Sequence, residues 1–198
     1  MNLKIKKLFI QSISIFLGFT FFGAGMAKLY FEHHYFGWIG PTWLIERLEE
    51  YQLGFYGQFI AVSQIFIGYL LITTRYKLIG SIMMIPLIGN TLMVTISMQW
   101  KGTPFVLAFL LGLNLLILWH YRDFFKPLLN ESFEGNFKRI VNKKTNLGHL
   151  VWLCGLVLQY ISIAISYHQI YVAMGTSFLG LLLSIFSFRV DKNQLKMK

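Results

Sequence analysis

The chain has 198 residues, of which 56% are hydrophobic and only 13% are charged, and its formal net charge is +10. This composition leaves no soluble basic domain, so nucleic acid is excluded as a partner and the basic excess is expected to face anionic lipid headgroups. The one cysteine, Cys154, excludes an intramolecular disulfide and a cysteine-based zinc or iron–sulfur centre.

Six apolar stretches make up most of the sequence. Each is close to the roughly 20 helical residues that cross a hydrocarbon core about 30 Å thick. None contains Asp, Glu, Lys or Arg, and a charge inside a spanning helix is costly. The sequence therefore predicts an all-α membrane protein, a six-transmembrane-helix bundle. The predicted spans are 8–27, 54–74, 78–99, 103–121, 147–167 and 170–188.

The basic residues lie in alternate connections between these spans. Lys and Arg in short connections are retained in the cytoplasm, and only Lys28, Arg47 and Lys101 lie in the opposite set. We therefore predict an integral protein of the plasma (inner) membrane with both termini cytoplasmic. The residues assigned to the cytoplasmic side are Lys4, Lys6, Lys7, Arg75, Lys77, Arg122, Lys126, Lys138, Arg139, Lys143, Lys144, Arg189, Lys192, Lys196 and Lys198. Tryptophans are expected in two interfacial belts, Trp38, Trp43 and Trp100 outside and Trp119 and Trp152 inside.

The first span also has features of a cleavable secretory signal. Basic residues precede its apolar run, near whose end lie the small residues Gly23, Ala24, Gly25 and Ala27. A run of about 20 residues is nevertheless longer than a signal core and right for a span. We expect the segment to be retained, although the sequence leaves cleavage of residues 1–27 open.

The outer segment 28–53 contains a short amphipathic pattern. Thr42 is a suitable N-cap residue, and Leu44, Leu48 and Tyr51 share one face of the helix that would follow it. We expect this helix to lie at the outer membrane surface or to cover the mouth of the bundle.

Amide side chains on the third and fourth spans predict a polar contact within the bundle. Pro86 is expected to kink the third span. In an antiparallel hairpin, Asn90 and Asn114 come to a similar depth, where their amides can hydrogen-bond. Such a pair serves either as a contact between helices or as part of a polar pocket for a ligand headgroup.

Two long connections suggest how the chain is organised. We predict a four-span unit over residues 1–125, a basic cytoplasmic connection over 126–146, and a two-span hairpin with a basic tail over 147–198. The connections within the hairpins are short, which favours antiparallel neighbours.

Chemistry-bearing residues are scarce inside the predicted spans. The lack of carboxylates, lysines and arginines there argues against a proton pump, an ion-coupled transporter and a two-carboxylate hydrolase. His120 and His149 are the histidine pair from different helices on the inner side, and an outer group could form from Glu32, His33, His34 and His168. Histidine is ordinary at a membrane interface, so no metal or haem site is predicted, and His120 with His149 are only the nearest candidates.

Two sequence runs resemble a known membrane family. Residues 17–29 (LGFTFFGAGMAKL) are similar to the aromatic and glycine-rich end of the first span in DoxX and DoxX-like proteins, which a lysine follows. Residues 64–75 (QIFIGYLLITTR) are similar to the second span of that family and its basic inner turn. The resemblance covers residues 8 to about 125.

The resemblance implies a four-helix bundle of the kind associated with quinone-linked oxidoreductase complexes and with oxidative or sulfur chemistry. Relatives often carry a glutamate where this chain has Gln64, which favours a non-catalytic role; an enzymatic role would be as a subunit of a quinone-linked oxidoreductase. We therefore expect an accessory subunit of a redox or envelope system, with membrane proteins of that system as partners and quinone as the candidate cofactor.

The predicted quinone or lipid pocket lies among the first four spans. Its hydrogen-bonding residues are Gln64, Asn90 and Asn114, and its points of close approach are Gly23, Gly25 and Gly68. The alternative function is a small-molecule transporter or permease. That alternative predicts broken spans at matching positions of repeated halves, and only Pro86 gives such a signal.

Overall fold

The structure is a computed structural model that describes residues 3–37, 39–129 and 144–196. Over these residues the chain forms α-helices, two short 3-10 helices at Phe31–His33 and Arg122–Leu129, and no strand. The α-helices are α1 (Leu3–Leu29), α2 (Leu44–Glu49), α3 (Gly54–Ile72), α4 (Lys77–Ser97), α5 (Thr103–His120), α6 (Asn146–Ser166) and α7 (Ile170–Lys196). Trp38 and residues 130–143, which include most of the predicted basic connection, lie outside the described residues.

Six of these helices confirm the predicted spans. Within the described residues, α1 and α3 to α7 are long and apolar enough to cross a membrane. α1 ends at Leu29 and α7 at Lys196, so both continue past the ends predicted near 27 and 188. Consequently Lys28 belongs to a spanning helix rather than to a connection.

Contacts between residues divide the chain into two compact units, Met1–Tyr121 and Arg122–Lys198. In the first unit, α1 packs against α3, α3 against α4, α4 against α5, and α5 returns to α1. The first unit is therefore a four-helix ring, and α2 lies against α3 at one end of it. We call this end, which also carries the α4–α5 connection, the α2 end.

Glycines bring α1 and α3 together. A Cβ added at Gly25 of α1 would lie 2.6 Å from the Ala61 carbonyl oxygen, and one at Gly68 of α3 would collide with the Phe22 backbone. Gly18 likewise faces the backbone of Ile72. Because no side chain separates the two backbones, α1 and α3 can approach as closely as small-residue contacts in membranes allow.

Apolar side chains fill the interior of the first unit, and others cover its outside. The buried cluster draws on all five α-helices of the unit and includes Leu17, Phe21, Leu44, Ile60, Ile67, Leu71, Met84, Ile88, Leu107 and Ile117. Large apolar side chains such as Phe55, Phe59, Phe105 and Phe109 are exposed on the spanning helices. An apolar outer surface of this kind suits contact with a lipid bilayer.

The predicted amphipathic helix exists as α2, but its N-cap prediction is wrong. α2 begins at Leu44, and the residue at its N-cap is Trp43 rather than Thr42, with no side-chain capping bond. Leu44 and Leu48 are buried as expected, whereas Tyr51 is exposed and lies beyond the helix. Burial of the two leucines against the bundle positions this helix without a cap.

Polar side chains hold α6 and α7 together in the second unit. The Gln159 amide donates from Nε2 to the Ser177 carbonyl oxygen over 3.0 Å, and the Ser177 hydroxyl donates to Gln159 Oε1 over 2.7 Å. At the start of α6, the backbone N–H and hydroxyl of Thr145 both donate to Asp191 Oδ1 of α7. This unit is thus a helical hairpin with hydrogen bonds in its interior.

Candidate functional site

A cavity of about 720 Å³ lies inside the first unit at its α2 end. This volume falls within the range of roughly 300–1,000 Å³ that is typical of ligand pockets. Helices α1, α3, α4 and α5 form its walls, and residues 39–44 with the α4–α5 connection complete it. Much of the wall is apolar, with contributions from Phe21, Leu44, Leu107 and Leu110.

Lys28 is a buried basic side chain in the wall of this cavity. It lies in the last turn of α1, lines the cavity, and is only 6% exposed. Its Nζ donates to the Ala24 carbonyl oxygen over 2.9 Å and to Gln64 Oε1 over 3.2 Å. Both acceptors are neutral, and among the described residues no carboxylate forms an ion pair with Lys28.

Gln64 holds the second polar position, on α3. Its side chain is buried and lines the cavity beside Lys28. Because Oε1 accepts from Lys28, the amide orientation leaves Nε2 as a donor, and Nε2 has no hydrogen-bond partner within the described part of the chain. Lys28 and Gln64 therefore present adjacent donors to the cavity.

Three threonine hydroxyls add weaker polarity to the walls. Thr20, Thr91 and Thr95 each donate to a carbonyl oxygen of their own helix, at distances of 2.8–2.9 Å. A hydroxyl that donates in this way keeps lone pairs free to accept. These threonines can therefore receive hydrogen bonds from a ligand without losing their own.

Two tryptophans lie together at the cavity. The ring centroids of Trp43 and Trp100 are 5.2 Å apart and the rings are tilted by 57°. Trp43 precedes α2, Trp100 belongs to the α4–α5 connection, and both line the cavity. Since Trp43 is half exposed, this pair marks the boundary between the cavity and its surroundings.

The predicted pairing of Asn90 with Asn114 is wrong. The Asn114 amide is fully buried and donates to the Ser81 carbonyl oxygen over 2.9 Å, while its Oδ1 has no partner within the described residues. Asn90 is exposed on α4, where the neighbouring Thr91 takes the interior position. Neither asparagine lines the cavity. An antiparallel hairpin fixes the depth of Asn90 but not the face of α4 on which it lies.

The three glycines proposed for the pocket also lie outside its lining. Gly25 and Gly68 are contact points between α1 and α3, and a Cβ at Gly23 would lie 2.9 Å from the Phe36 carbonyl oxygen. Of the predicted pocket residues, Gln64 alone lines the cavity. Gly25 and Gly68 therefore support the site indirectly, because they lie at contacts between the helices that carry Lys28 and Gln64.

The histidines do not gather into a metal centre in the described part of the chain. No group of three or more His, Cys, Asp or Glu side chains that could hold a metal is found there. His120 lies edge-on to Tyr121 in the first unit, and His149 is in the first turn of α6 in the second. His33 is held between the Ala27 carbonyl oxygen, 2.9 Å from Nδ1, and Glu46, 3.2 Å from Nε2.

Sequence reasoning missed Lys28 because it counted this residue with the outer connection. Spacing could have found it, since Phe21, Ala24 and Lys28 recur at intervals of three and four residues and share one helical face. A lysine that continues the interior stripe of a spanning helix is a functional candidate by its position.

Comparisons with known proteins identify no relative. No family model matches the sequence, and no curated protein and no solved structure matches it. The function is therefore argued from the cavity itself.

Proposed function

We propose that the first unit binds a membrane amphiphile, a quinone or a lipid, in the cavity at its α2 end. The chain would act as a non-catalytic accessory subunit of a quinone-linked redox or envelope system, as its resemblance to DoxX-like proteins implies. The observation that carries this proposal is an apolar cavity of about 720 Å³ with the buried Lys28–Gln64 pair in its wall.

The composition of the cavity wall favours binding over catalysis. Among the described residues that line it there is no carboxylate and no histidine. Histidine and carboxylates are the most frequent general acids and bases in enzymes, and lysine serves in this role less often. Polar donors at one place and apolar side chains elsewhere are instead typical of a site that orients an amphiphile.

The charge pattern supports an outer position for this cavity. Basic connections stay in the cytoplasm. In a plasma membrane, this rule turns the α2 end outward and both termini toward the cytoplasm. Trp43 and Trp100 suit the headgroup level of the outer leaflet. We infer that the ligand comes from that leaflet and that the apolar outer faces of the helices contact lipid or a membrane partner of the same redox or envelope system.

A binding titration with two matched variants tests this function. The full chain, purified in a neutral detergent with Trp38, Trp119 and Trp152 replaced by Phe, is titrated with a short-chain quinone and with a short-chain phospholipid. The fluorescence of Trp43 and Trp100 then reports ligand at the cavity, where the two rings lie, through quenching by the quinone and through a shift of the emission maximum with the phospholipid.

The variants Thr91→Phe and Asn90→Phe place the same side chain at adjacent positions of α4. Thr91 lines the cavity and Asn90 is exposed outside it. We expect Thr91→Phe to abolish the saturable fluorescence change and Asn90→Phe to bind as the unsubstituted protein does. The absence of saturable binding to the unsubstituted protein, or equal binding by both variants, would contradict the proposal.

A further inference from the structure

We propose that Lys28 and Gln64 form a recognition site for an anionic oxygen, a phosphate or carboxylate, on the headgroup of the amphiphile. This inference rests on the proposed function, because it names the chemical class of ligand that the same cavity takes. Such a site would make the cavity selective for acidic lipids over neutral ones.

The polar groups of Lys28 and Gln64 that have no partner among the described residues are donors. An ammonium has three N–H donors and no acceptor, and Lys28 uses two of them on Ala24 and Gln64. The free Nε2 of Gln64 is a second donor beside it. A ligand that satisfies both must therefore supply acceptor oxygens.

Within the described part of the chain, no carboxylate balances the charge of Lys28. Burying an ammonium removes its hydration, and a neutral acceptor replaces only part of the loss. Elsewhere in the chain the basic side chains of Arg47 and Lys126 pair with Glu50 and Asp123. Those pairs are exposed, whereas the buried Lys28 has only amide and carbonyl partners.

Lys28 lines the cavity, and among the described lining residues there is no carboxylate that would repel an anionic ligand. Gly40 lies beside Lys28, and a Cβ added there would be 3.8 Å from Nζ. Its φ of +108° favours glycine, so the backbone covers this side of the cavity without a side chain. Lys101 is a second, exposed cation among the lining residues, and cations around a pocket attract anionic ligands.

A neutral quinone would accept hydrogen bonds from Lys28 and Gln64 but would leave the positive charge of Lys28 without a negative partner. A phosphate or carboxylate oxygen forms charge-assisted hydrogen bonds, which are shorter and stronger than neutral ones. The observations therefore favour an acidic headgroup over a quinone carbonyl. The apolar walls beyond Lys28, formed by residues such as Leu107 and Leu110, would hold the first part of its acyl chain.

The test compares two probes that differ only in the phosphate. The full chain in neutral detergent is titrated with dihexanoyl phosphatidic acid and with dihexanoylglycerol, and inorganic phosphate is the tail-free probe. We expect phosphatidic acid to bind at least tenfold more tightly than dihexanoylglycerol, which corresponds to about 1.4 kcal/mol.

Two lysines of the same helix provide the matched variants. Lys28→Met is expected to remove the preference for the acidic probe, and Lys7→Met, an exposed position on α1, is expected to keep it. Gln64→Met tests the second donor with the ammonium intact and is expected to reduce the preference only in part. Gel filtration and the thermal unfolding midpoint confirm that each variant is folded before titration.

The outcomes separate this inference from the proposed function. If both probes bind equally well, or if Lys28→Met keeps the preference, the anion site is wrong while the binding cavity stands. If inorganic phosphate competes fully and does so only with Lys28 present, the anion site is supported and a free anion is its source. If the unsubstituted protein binds neither of these amphiphiles and no short-chain quinone, the proposed function itself fails.

Discussion

Lys28 on α1 and Gln64 on α3 are joined by a 3.2 Å hydrogen bond between Nζ and Oε1, inside a cavity of the first unit. The bond joins two helices whose backbones approach closely at glycines. The same helix pair therefore fixes the fold and positions the donors of the candidate site. Changes to α1–α3 packing should accordingly affect both stability and ligand binding.

We predict that Gly68→Ala destabilises the first unit. A methyl group at this position collides with the backbone N and Cα of Phe22, which cannot move aside without shifting α1. Overpacking of this kind typically costs about 1–3 kcal/mol. The thermal unfolding midpoint in detergent should therefore fall clearly below that of the unsubstituted protein.

The matched control is Gly112→Ala, because a Cβ at Gly112 of α5 meets no atom of the described residues within 4 Å. Alanine is favoured over glycine in a helix by about 0.5–1 kcal/mol, so this control should be neutral or slightly stabilising. Equal loss of stability in both variants would contradict the close approach of α1 and α3.

The spanning helices could be predicted from sequence because a bilayer leaves few alternatives to long apolar helices. The side chains that meet inside the bundle could not be predicted in this way. The apolar runs contain too few polar residues to show which face of each helix points inward. Asn90 and Asn114 illustrate the difficulty. The hairpin indicates their depth in the membrane, but it does not indicate that Asn90 lies on the exposed face of α4. Lys28 was missed for a related reason: the end of α1 was placed at 27, although the helix reaches Leu29.

The orientation of the chain is a separate prediction. With both termini cytoplasmic, Lys101 in the α4–α5 connection should be outside and Arg122 after α5 should be inside. Both side chains are exposed at the ends of the same helix. In a Cys154→Ser background, Lys101→Cys should react with a membrane-impermeant maleimide on intact cells, and Arg122→Cys should react only after the membrane is permeabilised. The reverse pattern would invert the topology and place the α2 end in the cytoplasm.

The second unit should depend on the interior amide of Gln159. Replacement by Leu removes its bonds to the Ser177 carbonyl oxygen and hydroxyl, both within a buried contact of α6 and α7. Hydrogen bonds between membrane helices contribute about 0.6–2 kcal/mol. We expect Gln159→Leu to lower the unfolding midpoint and to speed proteolysis of the hairpin in detergent. Gln169→Leu, in the exposed α6–α7 connection, is the control and should leave both measurements unchanged.

The final prediction is that removing both members of the Lys28–Gln64 pair costs less stability than removing one. Lys28→Met leaves Gln64 Oε1 without its donor, and Gln64→Leu leaves the buried ammonium with the Ala24 carbonyl oxygen alone. An unsatisfied buried group costs about 1–3 kcal/mol, more when it is charged, whereas replacing both partners by apolar side chains can be neutral or stabilising. We therefore expect Gln64→Leu to be the least stable variant and the double variant to match or exceed the unsubstituted protein in thermal unfolding without ligand. Independent, additive losses would mean that the two side chains are not coupled. A stable double variant that no longer binds an acidic amphiphile would indicate that the buried charge is retained for recognition rather than for folding.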